Sequence, residues 1–188
     1  LIADPGVYQY EAGEWRDCFR GTRAHSTLLI DGRDQSQLSS SFRVGRMARA
    51  RITAAQLDGS PLFVRGELAG YTAPGSPLVH RRSLALPNSR KLVIQDEVEG
   101  SGEHDFELRF HLAPGARVSL ERGAVLARFR RAALRFQFVA PSSAQTNVEE
   151  GWYSPSWYRR QPAPFVVLQW RGSAPCIIGT TLMISTGE

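Results

Sequence analysis

The side chains with potential for chemistry are few. The histidines are His25, His80, His104 and His111, and no two stand at a helical metal-ligand spacing. His25 follows a dense polar and aromatic stretch containing Trp15, Arg16, Phe19, Arg20, Thr22 and Arg23. It lies 21 residues after Asp4. A carboxylate and an imidazole on neighbouring strands can meet and hold a metal, but two ligands are one or two short of a site. A buried, hydrogen-bonded histidine is the plainer alternative at position 25. His111 alternates with apolar residues beside Arg109 and Glu107, so it is expected on a solvated or ion-paired face. His104 is expected exposed in a turn. His80 adjoins Arg81 and Arg82, a trio able to grip an anionic sugar. The carboxylate pairs Asp96-Glu97 and Glu149-Glu150 are adjacent strand residues, which point to opposite faces and make poor acid-base partners. No nucleophile elbow and no glycine-rich phosphate loop opening a helix is present.

The elements that must position these residues read as strands. Phe106, Leu108, Phe110 and Leu112 alternate with polar residues, the period of a strand buried on one face. Leu134, Phe136 and Phe138 do the same. Strands are expected over 27–30, 43–57, 62–68, 83–86, 91–98, 117–120, 125–130, 134–139, 165–171 and 176–185. Turn signals punctuate them: Asp31-Gly32, Asp58-Gly59, a loop over 70–77, Pro87-Asn88, a turn over 99–102, Pro114-Gly115 and a polar loop over 141–147. Residues 151–164 carry Trp152, Tyr153, Trp157 and Tyr158 among prolines. This segment reads as too irregular for a strand and too apolar for a free linker, so it is expected to pack over a sheet. Helical periodicity is nearly absent. The fold class is therefore all-β, a layered antiparallel β-sandwich, in one domain over 1–188.

Composition narrows the classes. The chain has 188 residues, 42% of them hydrophobic and 22% charged, enough for a core without disulfide or metal staples. No apolar run is long enough to cross a membrane as a helix. Of 23 basic residues one is lysine, Lys91, so 22 are arginines. The net charge of +5 permits an anionic partner, although an arginine-biased composition is the plainer source. No nucleic-acid-binding motif accompanies it. Cys18 and Cys176 can pair or stay free, and they form no zinc or redox spacing. Leu1-Ile2-Ala3-Asp4-Pro5-Gly6 reads as a strand end entering a turn, as though the chain were cut from something larger.

One stretch is more specific. Asp4-Pro5-Gly6-Val7-Tyr8-Gln9-Tyr10, then Trp15-Arg16, Phe19-Arg20, Thr22, Ala24-His25-Ser26-Thr27 and Asp31-Gly32, resembles the heparinase II/III-like family. Ser26 departs from it, standing where the family usually has Asn. Looser similarity continues through His80-Arg81-Arg82-Ser83, residues 100–104, Phe110-His111-Leu112 and residues 150–155.

The family consists largely of polysaccharide lyases with an N-terminal α/α toroid followed by a C-terminal antiparallel β-sandwich. The resemblance implies that this chain corresponds to the second part. It implies a parent that cleaves uronic-acid-containing polysaccharide by β-elimination, with the helical domain supplying catalytic groups and this chain inactive alone. The family's β-domain often binds zinc through a His-x-His motif, an Asp and a further His. Asp4 and His25 match the last two, and the His-x-His motif would lie upstream of Leu1. Tyr8, Tyr10, Arg20 and Arg23 flank those positions and are the candidate substrate contacts. The expected partners are acidic polysaccharide and the helical domain, with no nucleic acid and no membrane. A periplasmic or extracellular location follows from a polymeric substrate. The competing expectation is a non-catalytic carbohydrate-binding β-module using Trp152, Tyr153, Trp157 and Tyr158 as sugar platforms.

Overall fold

The computed structural model describes residues 1–73 and 76–186, without the side chains of 70–73 and 76. Its strands are β1 (Leu28–Ile30), β2 (Arg49–Gln56), β3 (Leu62–Ala73), β4 (Ser76–Asn88), β5 (Lys91–His111), β6 (Arg117–Glu121), β7 (Ala124–Arg128), β8 (Ala132–Val139), β9 (Gln145–Ser156) and β10 (Arg159–Thr186). One short helix, α1 (Glu14–Arg20), precedes them. The hydrogen-bonded order is β2-β3-β4-β5-β10-β8-β7-β6, with β1 joined to β5 and β9 to β10. The chain divides into two units, and β5 and β10 each contribute to both.

The first unit comprises Leu1–Met47, Asp105–Val118 and Ser143–Arg171. β1 pairs antiparallel with the end of β5, Leu28 facing Leu108 and Ile30 facing Phe106. Leu28, Leu29, Ile30, Phe106, Leu108 and Phe110 are buried with Val166, Val167 and Leu168 of β10. Phe106 stacks on Trp170 at 4.8 Å between centroids. Each such side chain removed from water contributes about 1.5–3 kcal/mol. The turn after β1 holds Asp31 and Gly32 at φ 53 and 63, as its sequence requires. It closes onto β5, where Asp105 N–H donates to the Asp31 carboxylate at 3.1 Å.

Two expectations change in this unit. The 151–164 segment is a hairpin rather than an irregular cover. β9 and β10 pair from Gln145↔Gln169 to Arg159↔Ser156 across the two-residue tip Trp157-Tyr158. Of its prolines Pro155 lies on β9, and Pro162 and Pro164 lie on β10 opposite Trp152 and Glu150. α1 also went unforeseen. Seven residues are too few to display a helical period, yet Trp15 and Phe19 at i and i+4 share one face and Phe19 is buried.

The second unit comprises Ala48–His104, Ser119–Ser142 and Gly172–Glu188. β3, β4 and β5 form an antiparallel meander, and β8 pairs with the end of β10, Leu182 facing Phe136. Leu78, Ile94, Val98, Leu134, Phe136, Ile178 and Leu182 make its core. The strand expected over 43–57 is shorter, and β2 is exposed along its whole length. Most of the expected 70–77 loop is ladder, since Tyr71, Thr72 and Ala73 pair with Leu78, Pro77 and Ser76. Positions 74 and 75 lie outside the described residues. The turn expected over 99–102 is strand within β5, carried by Gly100 and Gly102 at φ 142 and 106. The two expected closing strands are one, β10.

Candidate functional site

The first unit brings Asp4 and His25 together. Asp4 follows an antiparallel bridge between Ile2 and Leu112, and Ala3 N–H donates to the His111 carbonyl at 3.0 Å. The chain then turns at Gly6, φ 78, whose N–H donates to Asp4 Oδ1 at 3.1 Å. A Cβ at Gly6 would lie 2.3 Å from the Ser154 carbonyl oxygen, so only glycine fits this approach. The other carboxylate oxygen, Asp4 Oδ2, lies 2.9 Å from His25 Nδ1. His25 leaves a 3-10 turn over Thr22–Ala24 that Asp34 and Gln35 pin through the Thr22 backbone and hydroxyl. The pair sits at the surface, with side chains 70% and 38% exposed. His25 is thus not the buried histidine that was the alternative. The two donors suit a metal chemically, because a tetrahedral ion with bonds of about 2.0–2.1 Å holds its ligands about 3.3 Å apart. Among the described residues no group of three ligating side chains forms.

His111 corrects an expectation. It is fully buried, not on a solvated face. Nδ1 lies 3.1 Å from the Ala3 carbonyl and Nε2 3.1 Å from that of Trp152. The ring meets Phe165 edge-on at 4.6 Å. Burial pulls its pKa down, opposed by the two carbonyls. The ring therefore ties the strand before Asp4 to β9. Ser26, the departure from the family pattern, accepts the His111 backbone N–H at 2.9 Å.

Arg109, also expected outside, is 2% exposed. Its Nε donates to the Arg23 carbonyl at 2.8 Å, Nη1 to Glu107 at 2.9 Å and Nη2 to Glu149 at 2.7 Å. Its guanidinium also covers Phe165, 4.7 Å from the ring centroid. Every second residue points inward in a strand, but a strand covered on its second face buries the alternates too, and here they are polar and paired. Arg109, Glu149, Trp152, Phe165, Cys18 and Arg23 line a cavity of about 500 Å³. A second, of about 380 Å³, opens beside His25, Arg20, Asp34 and Gln35.

The four candidate substrate contacts have different surroundings. Tyr8 packs on Trp15, Phe19 and Tyr158, with centroids 5.7–6.0 Å apart. Tyr10 meets Phe42 and Trp157 at 5.6 and 5.1 Å. Arg20 donates to the Ser40 carbonyl and, at 3.2 Å, to that of Arg43. Arg23 pairs with Glu107 at 2.6 Å while its side chain stays 55% exposed. Trp157 and Tyr158 are 57% and 54% exposed, and Trp152 is partly so. Arg160, which sequence reasoning missed, covers Trp15 at 3.7 Å and Tyr8 and Trp152 at 4.9 Å. Its signal was the Tyr158-Arg159-Arg160 run after a Pro-Ser-Trp tip, which no simple spacing distinguishes.

The other histidines are structural in the second unit. His104 is buried in β5, its Nε2 3.2 Å from the Ser101 carbonyl. His80 is buried against Asp96, Nε2 to Oδ1 at 2.6 Å, and Arg82 Nε reaches the same oxygen at 2.7 Å. A trio open to an anionic sugar is therefore excluded at His80. Cys18 and Cys176 are free thiols. Among the described residues no helix is long and apolar enough to cross a membrane.

Comparison with known proteins agrees with this architecture. A heparinase III gene product superimposes on the whole chain with a TM-score of 0.79 at 22% identity. The heparan sulfate lyase HepC of Pedobacter heparinus covers 99% of the chain with a TM-score of 0.78 at 19% identity. A further heparinase III gives 0.77 at 20%. At these identities the likeness is one of fold, and it is the all-β, antiparallel β-sandwich class expected from the sequence. The chain spans only 28% of the length of each of these three. No curated protein sequence matches it. The family described as "Heparinase II/III-like, C-terminal" matches residues 1–179. With nearly the whole chain inside that match, the chain belongs to the heparinase II/III-like family as a C-terminal β-domain.

Proposed function

We propose that this chain is the β-domain of a lyase that cleaves uronic-acid-containing polysaccharide by β-elimination, and that it is inactive alone. The observation that carries the reading is the family match over 1–179 together with the 2.9 Å Asp4–His25 contact. In β-elimination a base removes the proton at C5 of the uronate. Its electron pair forms the new ring double bond, the bond to the glycosidic oxygen breaks, and an acid protonates that oxygen. The uronate carboxylate must be neutralised first, which acidifies the C5 proton. In this reading the helical domain supplies base and acid. Arg23, half-exposed beside His25, and Tyr10 contribute binding and orientation, and Arg20 and Tyr8 brace the surface on which the polymer lies. Asp4 and His25 would hold two positions of a zinc ion, which would supply a fixed positive charge there. The remaining ligands come from outside the described residues. A periplasmic or extracellular location accords with a polymeric substrate.

The test compares the parent protein with this chain on heparan sulfate and alginate, following the ultraviolet absorbance of unsaturated uronate. Product from the parent and none from the chain is the expected result. Equal rates from both would refute the division of labour. Parent zinc content measured by mass spectrometry is expected to fall in His25→Ala and Asp4→Ala, independently of turnover. A second reading, a carbohydrate-binding β-module without catalysis, draws on the exposure of Trp157 and Tyr158. Glycan binding with an inert parent would favour it.

A further inference from the structure

The geometry points to Arg160 and the rings beneath it as a subsite for the anionic group of an acidic sugar. This inference rests on the proposed polysaccharide substrate and adds where the sugar's charge is held. The β9–β10 register slips at this point: Ser156 faces Arg159 and Tyr153 faces Gln161, so Ser154 and Pro155 stand opposite Arg160 alone. Such a bulge re-aims a side chain, and bulges gather beside functional sites. It is held firmly. Ser154 N–H donates to the Pro5 carbonyl at 2.7 Å, and the Ser154 hydroxyl lies 2.9 Å from the carbonyls of Val7 and Arg159. The tip residue Tyr158 adopts φ 54, a strained conformation for a residue with a Cβ. It is kept there by its N–H to the Tyr8 carbonyl at 2.9 Å and by its hydroxyl on Glu11.

The result is a guanidinium over Trp15, its Cζ 3.7 Å from the ring centroid, flanked by Tyr8 and Trp152. Trp15 and Trp152 meet edge to face at 5.6 Å, which fixes the floor. Stacking occupies the face of a guanidinium and leaves its N–H edge directed outward. Arg23, Arg65, Arg81, Arg82 and Arg109 all commit that edge to carboxylates. Among the described residues Arg160 pairs with none, and it is exposed. A planar fork with free donors matches a carboxylate or a sulfate in bidentate fashion. The exposed rings of Trp157 and Tyr158 at the same hairpin tip offer the apolar faces on which a sugar ring stacks. A neutral peptide would not need the fork, and a hydrophobic partner would leave it buried without a counter-charge.

The experiment titrates this chain, as wild type, Arg160→Gln and Arg131→Ala, with three hexasaccharides by calorimetry. Heparan sulfate carries sulfate and carboxylate, alginate carries carboxylate alone, and cellohexaose carries neither. Arg131 is an exposed arginine of the second unit, so its loss reports the effect of bulk charge. Arg160→Gln is expected to weaken binding of the anionic probes about tenfold or more, with Arg131→Ala within twofold of wild type. Which probe loses more identifies sulfate or carboxylate as the group held. Equal effects of the two variants, or no binding of any probe by wild type, would overturn the inference. In the parent protein Arg160→Gln is expected to raise KM and leave kcat. A loss of thermal stability with KM unchanged would instead make Arg160 a contact to the helical domain and refute the subsite. A parent that binds through Arg160 but cleaves nothing would refute the lyase reading and leave this subsite standing.

Discussion

Replacing Arg109 with methionine removes the charge from the centre of the first unit while keeping most of the side-chain volume. The arginine is 2% exposed and makes three hydrogen bonds, two of them to carboxylates, above the face of Phe165. Removing one partner of a buried ion pair costs about 3–5 kcal/mol, because the other charge is left uncompensated. Two features set this case at the low end. Glu107 keeps Arg23 at 2.6 Å, and the Glu149 side chain is 32% exposed, so water takes up part of its charge. The Arg23 carbonyl also loses its donor. A cost of about 3 kcal/mol is expected, which at this chain length lowers Tm by roughly 6–12 °C. Circular dichroism melts of wild type, Arg109→Met, Glu149→Gln and the double variant measure it. Glu149→Gln alone should cost less, and the double variant should recover part of the loss, because the unpaired carboxylate is gone. A Tm within about 2 °C of wild type for Arg109→Met would refute the reasoning, as would strict additivity in the cycle.

The remaining predictions concern the second unit. Burial pushes the Asp96 carboxyl up, but the charges of Arg82 and His80 and their hydrogen bonds outweigh it and hold it below the usual carboxylate range. Its contribution is thus complete above the unfolded value of about 3.9 and is lost as pH falls through the lower folded value. Asp96→Asn should lower the urea midpoint at pH 7 and flatten the acid limb, and a midpoint profile parallel to wild type would contradict the pairing. Burial raises the Cys176 thiol to about 11. At pH 8 about one molecule in a thousand then carries the thiolate, so disulfide reagents should modify Cys176 far more slowly in the native chain than in urea. Equal rates in both states would show the thiol to be open.

Sequence pattern was sufficient for the fold class and pointed to two residues, Asp4 and His25, that the fold brings into contact. Alternation through Phe106, Leu108, Phe110 and Leu112 is a local property of one strand, and all four are buried. The Asp4-Pro5-Gly6 turn is likewise local, since Gly6 takes φ 78 and donates its N–H to Asp4 two residues back. Residue types and spacing could therefore suggest Asp4 and His25, but their 2.9 Å contact depends on where the strand before Asp4 and the turn before His25 are carried by β5. The misplacements share one cause. His111 and Arg109 are polar residues of an alternating strand and His80 opens a basic trio, and whether such side chains meet water or a second layer is decided by elements distant in the chain. The 151–164 segment is a hairpin because residues 151–156 of β9 find their ladder partners at the start of β10, which no local propensity around its prolines reveals. Arg160 is the clearest instance. Its residue type was plain, while its function depends on a one-residue slip in register and on rings from three separate segments, which only the folded chain brings under one guanidinium.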